Sequence, residues 1–185
     1  MAEITEHLIT GIDVDLYFAP SVRNMLSWRK GENSAKGKDH VRTILGEDVQ
    51  ISVPLVGGNS VLKQRYINWE KVAISSHGEW QRKHLGAWQA IYGKTPYFIH
   101  IFPELERIYK EHSYALFRDF CREINNIAVN YLNLDGLSSS ANSMKNEYPM
   151  RFKNIQSEIE SQISPELTIF DALFRLGPDV AYIFL

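Results

Sequence analysis

The stretch Ser76-His77-Gly78-Glu79-Trp80-Gln81-Arg82-Lys83-His84-Leu85-Gly86-Ala87-Trp88-Gln89-Ala90-Ile91-Tyr92-Gly93 decides the fold. Trp80, His84 and Trp88 recur every fourth residue, which on a helix puts them on one face, stacked turn over turn. Ser76 and Glu79 have the spacing of a capping box, in which each side chain satisfies the other's backbone amide. Gly93 is suited to the helix end, and Pro96 blocks continuation. The segment therefore predicts a helix over 80–92, and it marks where the hydrophobic period changes along the chain.

Before it the pattern is that of strands and loops. In residues 8–18, LITGIDVDLYF, Asp13 and Asp15 alternate with Ile12, Val14 and Leu16, as in a half-buried strand, and Ala19-Pro20-Ser21 redirects the chain. Residues 28–40, WRKGENSAKGKDH, are polar, basic and glycine-punctuated, and predict a long loop. VRTIL (41–45) and VQISVPL (49–55) flank Gly46-Glu47-Asp48 as a hairpin would. Gly57-Gly58-Asn59-Ser60 reads as a turn and Lys71-Val72-Ala73-Ile74 as a last short strand. After residue 93 the period is helical again. Pro103 suits the first turn of a helix. Phe117, Phe120, Cys121, Ile124, Ala128 and Tyr131 form one buried face, so Cys121 reads as a small core residue. The serine-rich 135–148 predicts a loop. Ile155, Ile159 and Ile163 suggest a short amphipathic helix. Thr168 and Asp171 repeat the capping-box spacing ahead of a helix ended by Gly177-Pro178. The expected architecture is α+β: a small, mainly antiparallel N-terminal sheet (1–75) covered by helices (76–134 and 149–185), within one domain spanning 1–185.

The 185 residues are 44% hydrophobic and 12% aromatic, enough for a sizeable core and too much for a mostly disordered chain. A net charge of −2 excludes the bulk cationic field that drives nucleic-acid binding. The charge is uneven: residues 1–20 carry −4, 21–94 carry +6 and 95–185 carry −4. The basic middle segment could draw an anionic substrate. A single cysteine excludes an internal disulfide. No segment has the run of about 20 apolar residues that spans a bilayer, and the N-terminus lacks a signal peptide's basic start, so a cytoplasmic location is expected. No Walker loop, dinucleotide fingerprint or serine-nucleophile elbow is present, and no cofactor is expected. His77 and His84 would lie about 10 Å apart on a helix, too far to share an ion, and no metal site is expected.

Three segments resemble the WbqC-like family. They are Tyr17-Phe18-Ala19-Pro20; Trp80-Gln81-Arg82-Lys83-His84 continued by Ala90-Ile91-Tyr92-Gly93-Lys94-Thr95-Pro96-Tyr97-Phe98; and Leu167-Thr168-Ile169-Phe170-Asp171 through Gly177-Pro178-Asp179. The middle segment is the most specific. One departure stands out: Lys36 and Arg42 keep the outer spacing of a basic family stretch, but His40 and Val41 stand where Arg and Asn are usual. The resemblance implies a role in bacterial surface-polysaccharide (O-antigen) synthesis. Glycyl or acyl transfer onto an amino sugar has been suggested for the family. The implied partners are a nucleotide-linked or lipid-linked sugar and an acyl or aminoacyl donor.

Two readings of His84 stand side by side. Desolvation by the two indoles would keep the imidazole neutral, as a general base for acyl transfer requires, with tryptophan walls for a ring. Alternatively it is a core histidine bonded to a backbone carbonyl. Tyr92 could donate to a developing oxyanion or be buried aromatic mass. Lys36, Lys38 and Arg42 could clamp a diphosphate. Lys36 and Arg42, with Tyr17, Trp80, Trp88, Lys94 and Tyr97, make the expected substrate-binding set, His84 and Tyr92 the expected catalytic pair. The alternative function is a non-catalytic binding or scaffold protein of the same pathway.

Overall fold

A computed structural model describes residues 14–30, 37–111 and 114–185. Its centre is the helix Trp80–Tyr92, which buries Trp80, His84 and Trp88, the expected face, and one turn further on Tyr92. The antiparallel hairpin of β1 (Arg42–Leu45) and β2 (Val49–Ser52) lies along that face, paired from Arg42–Ser52 to Leu45–Val49 around the turn Gly46–Asp48. Two side chains of the helix tie it to the hairpin. His84 bonds the Ser52 carbonyl at one end, and the Tyr92 hydroxyl accepts from the Gly46 amide at the other. Eight residues of helical rise put those ties about 12 Å apart, the length of the hairpin.

The C-terminal half is helical: Phe98–Glu111, Phe117–Leu132, Leu134–Glu147, Pro149–Gln162 and Ile169–Leu176, ending in a 3-10 segment Gly177–Ile183. The last helix docks on the sheet, with Thr168 N–H donating to the Ile44 carbonyl. Phe170, Leu173 and Phe174 are fully buried against Trp88, and Phe174 also stacks on Tyr92. The final apolar run packs onto the body through Val180, Ala181, Ile183 and Phe184. Cys121 is a core residue; burial pushes its thiol well above the ordinary range, so it is a poor nucleophile.

The α+β class stands, with several corrections. The N-terminal part is poorer in strands than expected. Residues 8–13 and 31–36 lie outside the described residues, while Val14–Leu16 is a 3-10 turn, Val22–Arg29 a helix and Gly37–Val41 a short helix inside the expected loop. Residues 71–74 make only isolated bridges, Leu55 to Ile74 and Ala73 to Leu116. Residues 134–147 are a helix, not a loop: Ala141 is buried, and Lys145 reaches the Leu185 carbonyl and the face of Phe152. Pro103 sits inside the helix Phe98–Glu111 rather than in its first turn. It is on the solvent face, where the carbonyl it deprives of a donor can be hydrated. The capping box at Ser76 does not form. Gly78 and Glu79 are both left-handed (φ 88° and 47°), and Glu79 pairs with Arg82 at 2.7 Å instead. Thr168 does cap its helix, but the Asp171 carboxylate goes to Arg175 at 3.1 Å.

Candidate functional site

His84 is 4% exposed. Its Nε2 lies 3.1 Å from the Ser52 carbonyl and its Nδ1 3.1 Å from the Tyr109 hydroxyl. A carbonyl can only accept, so Nε2 carries the proton and Nδ1 accepts from Tyr109. The ring packs face to face with Phe18 at 5.6 Å and takes the edge of Trp80 at 5.1 Å. Trp88 turns instead to Tyr92, Phe170 and Phe174 and is fully buried. Burial lowers the His84 pKa to about 4 against the smaller opposing effect of the Ser52 bond. The imidazole is therefore neutral at pH 7, and both nitrogens are occupied.

Phe18 is delivered to His84 by a strained turn. Ala19 is fully buried with φ 44°, a conformation that costs a non-glycine residue about 1–2 kcal/mol. The Ala19 carbonyl accepts from Thr43 at 2.6 Å and from Thr168 at 3.1 Å. The Pro20 carbonyl accepts from Ile169 N–H. Tyr17 is held by the Asn125 amide, which donates to its carbonyl at 2.8 Å. All three segments that carry the family resemblance thus meet around one point: Phe18 on His84, Trp80 beside it, and Thr168 beneath Ala19.

Two cavities flank this point. One, of about 380 Å³, is lined by Lys38, Arg42, Gln50, Ser52, Asn59 and apolar neighbours, with no carboxylate among the described residues of its walls. Lys38 is exposed and forms no ion pair among the described residues, and Arg42 is bonded to Asp39 at 3.2 Å. The other, of about 190 Å³, has Trp80, Tyr109, Tyr114 and Phe120 in its walls. Ser52 belongs to the first and Tyr109 to the second, and the His84 ring hydrogen-bonds one residue of each.

The WbqC-like protein family matches residues 32–165, well over half the chain. The chain belongs to that family. Neither a curated protein nor a solved structure matches it.

The other residues singled out in this WbqC-like chain are dispersed. Tyr17 is buried, and its ring stacks on His40 at 4.1 Å; His40 in turn stacks on Trp69 at 4.2 Å. Arg42 lines the cationic cleft and Trp80 the aromatic one, while Lys36 lies outside the described residues. The Tyr92 hydroxyl binds the Gly46 amide at 2.8 Å; burial and then the Asp171 carboxylate push its pKa up, so it is a neutral clamp on the hairpin turn. Lys94 is exposed beyond the helix end, and Tyr97 covers Gly177, where any Cβ would come within 2.4 Å of the tyrosine ring. Lys94, Tyr97 and Tyr92 belong to the opposite end of the helix from Trp80. Gln50, Asn59, Tyr109 and Tyr114 escaped sequence reading. Tyr109 lies on the buried face Ile101, Leu105, Ile108 of its own helix, a core signal that does not reveal its hydroxyl's partner. Among the described residues no three His, Cys, Asp or Glu side chains converge on a metal-sized site, and no helix is long and apolar enough to cross a membrane.

Proposed function

We propose that this WbqC-like chain acts in bacterial surface-polysaccharide synthesis by binding a nucleotide-linked or lipid-linked amino sugar, with the phosphates beside Lys38 and Arg42. The observation that carries this is the 380 Å³ cleft, walled, among the described residues, by two cations and three neutral polar side chains and by no acid. A diphosphate offers acceptors in the fork geometry that arginine matches. The helix carrying Trp80 and His84 is tied to the cleft residue Ser52 through the imidazole. Glycyl or acyl transfer onto the amino sugar is the reaction this pathway reading suggests. Within it His84 acts as a positioning residue: a base must free one nitrogen, and here the two hydrogen bonds that engage them also fix the cleft floor. The same occupancy favours a second reading, a protein that binds the sugar and presents it without turning it over.

The test is thermal shift and calorimetric titration with uridine diphosphate N-acetylglucosamine, inorganic pyrophosphate and an undecaprenyl-type lipid diphosphate in micelles. A diphosphate ligand at about 100 times its Kd raises stability by about 2.7 kcal/mol. Lys38→Gln with Arg42→Gln should weaken binding about tenfold or more, and added salt should weaken it further. Equal affinity of wild type and double variant, or no response to any of the three, would remove the proposal.

A further inference from the structure

The smaller cavity has chemistry of its own. Phe120 sits at the centre of an edge-to-face cluster, with Trp80 at 5.4 Å and 90°, Tyr109 at 5.4 Å and 82°, and Tyr114 at 5.5 Å and 62°. Interlocked rings make rigid walls, so little ordering is left to be paid on binding. Trp80 is fixed further by its indole N–H, which donates to the Ser75 carbonyl at 3.1 Å. The rim is polar: Ser75, Ser76 and Gln81 line it, and neither the Ser76 hydroxyl nor the Gln81 amide has a hydrogen bond among the described residues. The first-turn amides of the Trp80–Tyr92 helix add donors, since Glu79 is occupied by Arg82 and does not cap them. Among the described residues no Lys or Arg lines the pocket.

Apolar aromatic walls, unspent donors and acceptors at the rim, and room for a single ring describe one ligand class. A pyranose presents C–H faces to aromatic rings and hydroxyls at its edge. The 190 Å³ volume exceeds the roughly 150 Å³ of a cavity that holds benzene. We propose that the pocket bounded by Trp80, Tyr109, Tyr114 and Phe120 is a second ligand site, which takes one uncharged pyranose ring. It deepens the carbohydrate reading of the chain and rests on it for the substrate class alone. The two sites would be joined through one imidazole: Tyr109 of the sugar pocket and Ser52 of the cationic cleft are the two hydrogen-bond partners of His84.

The probe is methyl N-acetylglucosaminide, followed on the indole N–H resonance of Trp80, which Trp80→Phe identifies. Saturable shifts are expected at millimolar to tens-of-millimolar glycoside. Ala115→Trp plugs the pocket from an exposed wall position and should weaken binding about tenfold or more. Gln81→Ala, on the rim, should weaken it a few-fold, and serves if the tryptophan variant does not fold. The Lys38→Gln, Arg42→Gln double variant should bind the glycoside as wild type does, which separates this site from the cationic cleft. Shifts that survive in Ala115→Trp and Gln81→Ala, or no saturable shift in folded wild type, overturn the assignment. So does preferential binding of p-cresol, a ring without the polyol edge, because it would make the space an apolar cavity rather than a sugar site.

Discussion

Two histidines of this chain occupy environments that invert what their sequence positions suggest. His84, in the most specific family segment, is 4% exposed with both nitrogens bonded. His40, where the family pattern departs, is half-buried between the parallel rings of Tyr17 and Trp69. Its Nδ1 donates to the Leu16 carbonyl at 2.8 Å, and its Nε2 has no partner among the described residues. In each case a backbone carbonyl fixes the tautomer, but on opposite nitrogens. Burial is the leading cause of a lowered pKa in both. The difference is that all of His84's hydrogen-bonding capacity is spent on joining a helix to a hairpin, whereas His40 keeps one acceptor in reserve. A histidine at a motif position is thus not by that fact the one with chemistry left to do.

The largest effect belongs to His84→Ala. It leaves the Ser52 carbonyl and the buried Tyr109 hydroxyl without their shared partner and opens a void beside Phe18 and Trp80. The expected loss is about 3–4 kcal/mol, or about 10 °C in Tm, read by denaturant and thermal melts. A loss under about 1 kcal/mol would mean the imidazole is not the tie described here, and would return His84 to the list of free catalytic groups. Slightly smaller is the pH dependence. In the folded chain His84 takes up its proton near pH 4, in the unfolded chain near pH 6.5. Above about pH 6.5 both states are neutral and the stabilisation is complete. As pH falls from there only the unfolded chain is protonated, and about 3 kcal/mol is lost by pH 4. His40, also lowered, adds loss of the same sign. Subtracting the stability–pH curve of His84→Gln isolates the His84 part; identical curves for the two proteins would contradict the assigned burial.

Much of this was legible in the residues. Period-four spacing identified the face Trp80, His84, Trp88, which Tyr92 extends in the structure, because a helix that must bury one stripe writes that stripe locally. The hairpin about Gly46-Glu47-Asp48 was legible too, although Glu47 and Asp48 adopt the left-handed conformation that glycine or asparagine would take more cheaply (φ 59° and 61°). What escaped was fixed by distant segments. The serine-rich helix Leu134–Glu147 is held through Lys145 by the last residue of the chain and by Phe152, neither of which marks residues 135–148 as helical. The Ser76–Glu79 box had the right letters, but Gly78 turns the backbone left-handed and Arg82 claims the glutamate. The Tyr17–His40–Trp69 stack joins three segments across more than fifty residues, and the convergence of Tyr109 and Ser52 on one imidazole has no period at all.

The smallest effect sharpens the contrast most. His40→Phe preserves a ring between Tyr17 and Trp69 and gives up only the bond to the Leu16 carbonyl, at a cost of about 1 kcal/mol or less, since that carbonyl is half-buried and can be hydrated. His40→Ala also removes the stacking, and should cost about 1–2 kcal/mol. Both fall well short of His84→Ala, because no buried partner pair is orphaned. Nitrogen-15 chemical shifts of the two imidazoles over a pH series check the same point on the wild-type protein: His40 should titrate first as pH falls, with Nε2 gaining the proton while Nδ1 keeps its bond to Leu16. If His84 titrated first, the stacked ring would be the more sealed of the two. The free acceptor would then have to be sought between Ser52 and Tyr109, and His84 would regain its claim as the base.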